Sequence, residues 1–223
     1  MSEHPVYEVY AVKYAHLFRH SPENFIGGDE HDVPMPLDYF VWAIKGRDRT
    51  IILDTGFSAE MGAKRKRQHL RSPAVGLKAI GVEPDQVKDV IISHMHYDHS
   101  GNHDMFPNAH FHLQDREMQY CTGRCMGHAN LRGAFEAEDV VAMVRRTFAG
   151  RSKFHDGVGE DWFSLYELDR RRRQHRPQWR DVEICDGVEL GVRRQFPRHR
   201  QADDHHHGTD CWPAHEQCLE IGR

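Results

Sequence analysis

The sequence predicts an α/β layered fold over residues 1–168, followed by a stretch of different character at 169–223. Three observations carry this reading. Short apolar runs alternate with helix-period segments through the first part, the pattern of an α/β fold. One of those runs, Val90–Ser93, delivers the chain directly into a dense cluster of histidine and aspartate. Composition then breaks between Gly157 and Arg170. The last lysine is Lys153, and the final 55 residues hold 11 arginines and only 15 apolar residues.

The elements follow in order. Tyr7–Lys13 alternates in the period-2 manner of a strand. Tyr39–Lys45 and Thr50–Leu53 are apolar runs joined by Gly46-Arg47-Asp48-Arg49, which reads as a hairpin. Ala74–Ile80 is a short helix closed by Gly81. Asp89–Ser93 is a short buried strand and His110–Leu113 another. Asp115–Cys121 and Glu136–Phe148 read as helices, the second with an apolar face at Val140, Val141, Val144 and Phe148. Beyond 168, one strand pair is expected around Asp186-Gly187. The rest of the tail shows no periodic apolar face and reads as a poorly ordered basic-polar segment, with blocks at Arg170–Arg173 and Asp203–His207.

Composition excludes several classes of function. A formal net charge of −4 does not suit a protein that coats nucleic acid. The arginine block at 170–173 is offset by acidic neighbours. No apolar run approaches the length of a membrane span, and the start has neither a basic n-region nor an apolar h-region. Five cysteines without a secretory signal fit reduced thiols in the cytoplasm. Cys121 and Cys125, four apart near a helix end, read as ordinary packing. Cys211-x3-His215-x2-Cys218 only superficially resembles a zinc-binding run.

The chemistry concentrates where the Val90–Ser93 strand ends. His94-Met95-His96-Tyr97-Asp98-His99 is H-x-H-x-D-H. Residues two apart in extended backbone project to the same side, so His94 and His96 face together. Asp98 and His99 follow as the chain turns and aim at a second nearby position. Imidazole and carboxylate donors suit zinc, and also iron or manganese.

Ser93–Asn102 resembles the signature of the metallo-β-lactamase superfamily. Ile51-Ile52-Leu53-Asp54-Thr55-Gly56 resembles that family's strand ending in an aspartate turn. Phe106–Met118, with Phe148–Arg151 and Phe154–Gly157, is similar to its N-acyl-homoserine-lactonase-like branch, the quorum-quenching lactonases. The resemblance covers residues 5–168. It implies an αββα sandwich of which this chain carries the N-terminal half, and a small lactone or ester as substrate. It implies that His94 and His96 bind a first zinc ion and Asp98 and His99 a second, with Asp54 orienting a ligand histidine. Two ions about 3.5–4 Å apart would hold a bridging hydroxide that attacks the lactone carbonyl, with Asp98 assisting proton transfer. The loop Phe25–Met35 would help shape an acyl pocket.

The family pattern also requires three later ligands: a histidine in a Gly-His-Thr turn, an aspartate after a strand, and a late histidine. None is identifiable. His175, His199, His205, His206, His207 and His215 lie in the atypical tail, and Asp186 reads as a turn residue. A shifted reading frame explains both the missing ligands and the composition break, because out-of-frame translation of GC-rich DNA favours arginine and suppresses lysine. Reading Gly191–Gln195 one nucleotide later allows Ala-Ser-Asp-Ala-Ser, like the metal-aspartate segment. Gly208–Cys211 allows Ala-Pro-Ile-Val, like a later family segment. Arg172–His175 allows Gly-Gly-Asn-Thr rather than Gly-Gly-His-Thr, which counts against the idea. The coding DNA across codons 155–175 decides: an intact frame with no displaced homologous frame refutes it. On this hypothesis the chain is a catalytically impaired remnant lacking half the metal shell, with apolar surface exposed and poor solubility.

Overall fold

The computed structural model describes residues 7–156, together with the backbone of 178–185 and 188–194. Nine strands form one mixed sheet: β1 (Glu8–Leu17), β2 (Leu37–Lys45), β3 (Thr50–Leu53), β4 (Gln68–His69), β5 (Asp89–Ile91), β6 (His110–Gln114), β7 (Ser152–His155), β8 (Gln178–Cys185) and β9 (Val188–Arg194). Their order is β7-β6-β5-β3-β2-β1-β9-β8, with β4 pairing on β1. The helices are α1 (Ala59–Lys64), α2 (Pro73–Ala79), α3 (Tyr97–Ser100), α4 (Asp115–Cys121), α5 (Ala129–Arg132) and α6 (Ala137–Phe148).

The local signals explain these boundaries. β2 and β3 pair antiparallel from Lys45↔Thr50 upward, and the Gly46 N–H donates to the Arg49 carbonyl across the turn. α1 starts at Ser58, whose hydroxyl accepts from the Met61 N–H at 3.2 Å. α2 starts at Ser72 with Pro73 in its first turn, where the missing N–H costs nothing. It ends at Gly81, whose φ of +70° is the left-handed conformation that stops a helix. The strand pair expected around Asp186-Gly187 is present, and β9 continues the sheet by pairing antiparallel with β1. The remainder of the tail, including the arginine and histidine blocks and Cys211–Cys218, lies outside the described residues.

One expectation needs correcting. The apolar face of α6 is not the Val140, Val141, Val144, Phe148 stripe. Phe148 is 90 % exposed and Val141 37 %, whereas Met143 and Arg146 are buried. The helix is rotated so that Val140 and Met143 meet the core. What draws Arg146 inward is a partner on each side. Its guanidinium reaches Asp104 Oδ1 at 3.0 Å and stands 4.8 Å from the Phe111 ring centroid.

α2 packs on β1, α4 on β6 and α6 on β7. The core between helices and sheet is built from Val12, Tyr14, Val41, Ile52, Phe57, Leu77, Val90, Ile92, Phe111, Leu113 and Met143. Its largest members are fully buried, and each contributes about 1.5–3 kcal/mol of transfer free energy. Tyr14 and Phe57 meet edge to face, with centroids 4.9 Å apart. The second sheet of an αββα sandwich is not among the described residues. β3, β5, β6 and β7 run parallel, which brings the carboxyl ends of β3 and β5 to one edge of the sheet. In open α/β sheets that edge is where chemistry is placed.

Candidate metal centre

β3 ends at Leu53 and the chain turns sharply at Asp54, whose φ of +63° is left-handed. Aspartate tolerates that conformation better than most residues. β5 ends at Ile91 and runs through Ile92 and Ser93 into His94. These two turns are laced together. The Asp54 N–H donates to the Ile91 carbonyl at 2.8 Å, and the Thr55 N–H to the His99 carbonyl at 2.7 Å. Asn102 Nδ2 donates to the Thr55 carbonyl at 3.1 Å. Close approach is possible because Gly101 meets the Gly56 carbonyl oxygen, where a Cβ would lie only 2.8 Å away.

The motif side chains gather at this edge. The His94 ring centroid lies 4.4 Å from that of His96 and 3.9 Å from that of His99. His99 Nε2 is 3.5 Å from Asp98 Oδ2. Its other nitrogen, Nδ1, is 2.7 Å from Asp54 Oδ2. The buried Asp54 carboxylate also accepts the Ser93 N–H at 2.7 Å and the Ser93 hydroxyl at 2.9 Å.

Three further residues hold the motif, and spacing alone does not point to them. Tyr14, deep in the core, donates its hydroxyl to the Asp98 carbonyl at 2.9 Å. Glu117 on α4 accepts the Met95 N–H, between the two leading histidines, at 2.7 Å. Phe135 stands edge-on to the His96 ring at 4.7 Å. Glu117 falls within the Phe106–Met118 resemblance. The other two carry no sequence signal, because their roles come from contacts across 84 and 39 residues of chain.

Burial, reinforced by the neighbouring His99 and His96, pushes His94 down to about 4. Burial also lowers His96. His99 behaves oppositely: burial opposes its proton, but the hydrogen bonds and charges of Asp54 and Asp98 outweigh it and raise the group to about 9. Burial likewise opposes ionisation of Asp98, yet His99 holds its carboxyl below the ordinary value. His94 and His96 therefore offer neutral imidazoles and Asp98 an ionised carboxylate, ligands that zinc takes, whereas His99 holds a proton that a metal would have to displace. Among the described residues, no three His, Cys, Asp or Glu side chains are already grouped to hold one ion. The His94 ring packs against those of both His96 and His99.

The metallo-beta-lactamase superfamily profile matches residues 35–215. The chain belongs to that superfamily. Within it, a 44-residue stretch is 48 % identical to the N-acyl homoserine lactonase AttM of Azorhizobium caulinodans, covering 20 % of this chain and 17 % of that protein. Three solved structures share the superfamily fold. A quorum-quenching N-acyl homoserine lactone lactonase matches at TM-score 0.51 and 18 % identity, over 67 % of this chain and 57 % of its own. The hydrolase AbOPH matches at 0.52 and 18 %, over 71 % and 60 %. A probable metal-dependent hydrolase from Staphylococcus aureus matches at 0.54 and 11 %, over 70 % and 61 %. This superfamily member thus aligns with less than two thirds of each relative's length.

Proposed function

We propose that this chain is a metal-dependent hydrolase that opens the lactone ring of N-acyl homoserine lactones or related esters. The clustering of His94, His96, Asp98 and His99 at the carboxyl edge of β5, beside Asp54, carries the reading. In it His94 and His96 hold a first zinc ion, and Asp98 and His99 a second. When bound, such ions supply Lewis acidity and an activated water at neutral pH. The protein's own part is to present donors in the right state. His94 offers a neutral ring at physiological pH. Asp54 engages Nδ1 of His99 and so directs Nε2 toward Asp98. Asp98, an ionised carboxylate, is the group placed to accept a proton.

A second reading is favoured by a specific observation. The composition break after Lys153 is that observation, because family members draw further donors from the part of the chain that follows the motif. On that reading the chain is a catalytically impaired relative. One pair of measurements separates the two: metal content of the purified protein by elemental analysis, and hydrolysis of an acyl homoserine lactone followed with a pH indicator. Two ions per chain with turnover establishes the hydrolase. One ion or none, without turnover, establishes the impaired form.

A further inference from the structure

Arg65 closes α1 and stands beside the histidine motif without belonging to it. Its guanidinium lies over the Tyr97 ring, with Cζ 3.9 Å from the ring centroid. The same fork reaches a second stretch of chain, residues 133–136. Nε and Nη2 donate to Glu136 Oε1 at 3.1 and 2.7 Å, and Nη1 donates to the Gly133 carbonyl at 2.9 Å. The ion pair is largely shielded, with 18 % and 15 % of the two side chains open to solvent. Arg67 adds a hold on the same ring. Its Nε donates to the Tyr97 hydroxyl at 3.1 Å and its Nη1 to the Arg65 carbonyl at 2.9 Å.

Residues 133–136 meet the motif directly. The Ala134 carbonyl accepts the Tyr97 N–H at 2.9 Å. Phe135 forms an antiparallel bridge with His96, and its ring stands edge-on to the His96 imidazole at 4.7 Å. Arg65 thus touches both partners of one junction: Tyr97 on the motif, and Gly133 and Glu136 on the stretch that carries Phe135. The residue type matters. A planar guanidinium can lie flat on a ring while its edge donates to a carboxylate and a carbonyl at once. A lysine ammonium supplies the charge but neither the flat face nor the fixed fork. Removing one member of a shielded ion pair also leaves the other charge without its partner, which favours a junction opened to water.

We propose that Arg65 is a positioning residue: by clamping residues 133–136 onto Tyr97 it fixes the Phe135 ring against His96 and so sets the orientation of that imidazole. Its consequence for metal rests on the proposed function, in which His96 holds the first ion. The clamp itself does not. Groups that orient a ligand from outside typically govern affinity by about 10–100-fold.

The test compares the full chain with Arg65→Lys, Glu136→Ala and Lys64→Ala. In metal-free protein, the nuclear Overhauser cross-peak between Phe135 and His96 ring protons reads the orientation. Zinc affinity, measured by competition with a chromophoric chelator, reads its consequence. Arg65→Lys should lose most of the cross-peak and bind zinc roughly tenfold more weakly. Lys64→Ala is the control. The exposed Lys64 pairs with the other oxygen of Glu136 at 2.7 Å, so its removal spares the stack and should leave both readouts unchanged. A full cross-peak in a folded Arg65→Lys overturns the clamp, and equal losses in Lys64→Ala overturn its assignment to Arg65. If Arg65→Lys does not fold, Glu136→Ala decides, because it frees residues 133–136 from the ion pair; a full cross-peak there overturns the proposal. A lost cross-peak with unchanged zinc affinity overturns the consequence for metal. An unmutated chain that binds no zinc counts against the proposed function instead, and the cross-peak still decides the clamp.

Discussion

Asp54 Oδ2 and His99 Nδ1 are 2.7 Å apart, joining the turn after β3 to the helical turn that ends the histidine motif. The link bridges 45 residues of sequence and involves a carboxylate that is only 7 % exposed. His99 keeps its proton to about 9 because of this partner and Asp98. Asp54→Asn should therefore lower the His99 value towards the ordinary 6.5, read by NMR titration of the ring. Asparagine also accepts the φ of +63°, so the backbone should hold. A His99 value still near 9 in a folded Asp54→Asn would show that Asp98 alone sustains the proton.

Glu117 tests how the leading histidines are held. Its carboxylate accepts the Met95 N–H at 2.7 Å, and burial raises the group above the ordinary range. Glu117→Ala leaves that N–H without its acceptor, a loss of about 1–3 kcal/mol. Glu117→Gln retains a carbonyl oxygen in the same place and should lose much less. Urea denaturation of both variants checks the order. Equal losses would mean that the side chain matters for packing rather than for the Met95 hydrogen bond.

His103 governs acid sensitivity. It is buried and stacked on Phe111 at 5.2 Å. Burial, helped by Arg146, pushes it down to about 3. A histidine depressed in the folded state stabilises the fold fully above its unfolded value near 6.5. That stability drains away as pH falls from there towards 3, by up to about 1.4 kcal/mol per pH unit. His94, depressed to about 4, acts in the same direction. His99, raised to about 9, opposes this slope only near 6.5, where its unfolded ring is still titrating. Asp139, raised by burial to about 7, opposes it throughout the window, so the two histidines together must outweigh one carboxyl. Thermal melts should thus fall between pH 6.5 and 5, before ordinary carboxylates titrate. His103→Phe should visibly flatten that fall. An unchanged slope in the variant would assign the sensitivity elsewhere.

The parts of the fold legible in the sequence were those fixed by local rules. The β2–β3 hairpin, the Gly81 stop of α2, and the strand running into the H-x-H-x-D-H motif all follow from neighbours in the chain, whereas the Ser72 cap and Pro73 start of α2 were passed over. Helix rotation was not legible in α6. Its four apolar residues suggested one face, but Arg146 turned inward to meet Asp104 and Phe111, which arrive from other elements. The same limit applied at the site. The motif announced itself, while Tyr14 and Phe135 reach it through tertiary contacts that spacing cannot supply.

Gly101 offers the most local test of the site's geometry. A Cβ there would lie 2.8 Å from the Gly56 carbonyl oxygen, 2.9 Å from that of Tyr97 and 3.1 Å from Phe57 Cα. All three are backbone atoms, so no side chain can rotate away to make room. The turn carrying Asp98 and His99 must then move off the turn carrying Asp54. Gly101→Ala should destabilise the fold by about 1–3 kcal/mol, as overpacking does. It should also weaken the downfield Nδ1–H signal of His99 that the Asp54 hydrogen bond produces. Gly127→Ala is the matched control, because nothing lies within 4 Å of its Cβ. It should leave both the melt and that signal unchanged. If Gly101→Ala keeps the His99 signal at full strength, the two turns can separate without disturbing the Asp54–His99 bond, and their close packing serves stability alone.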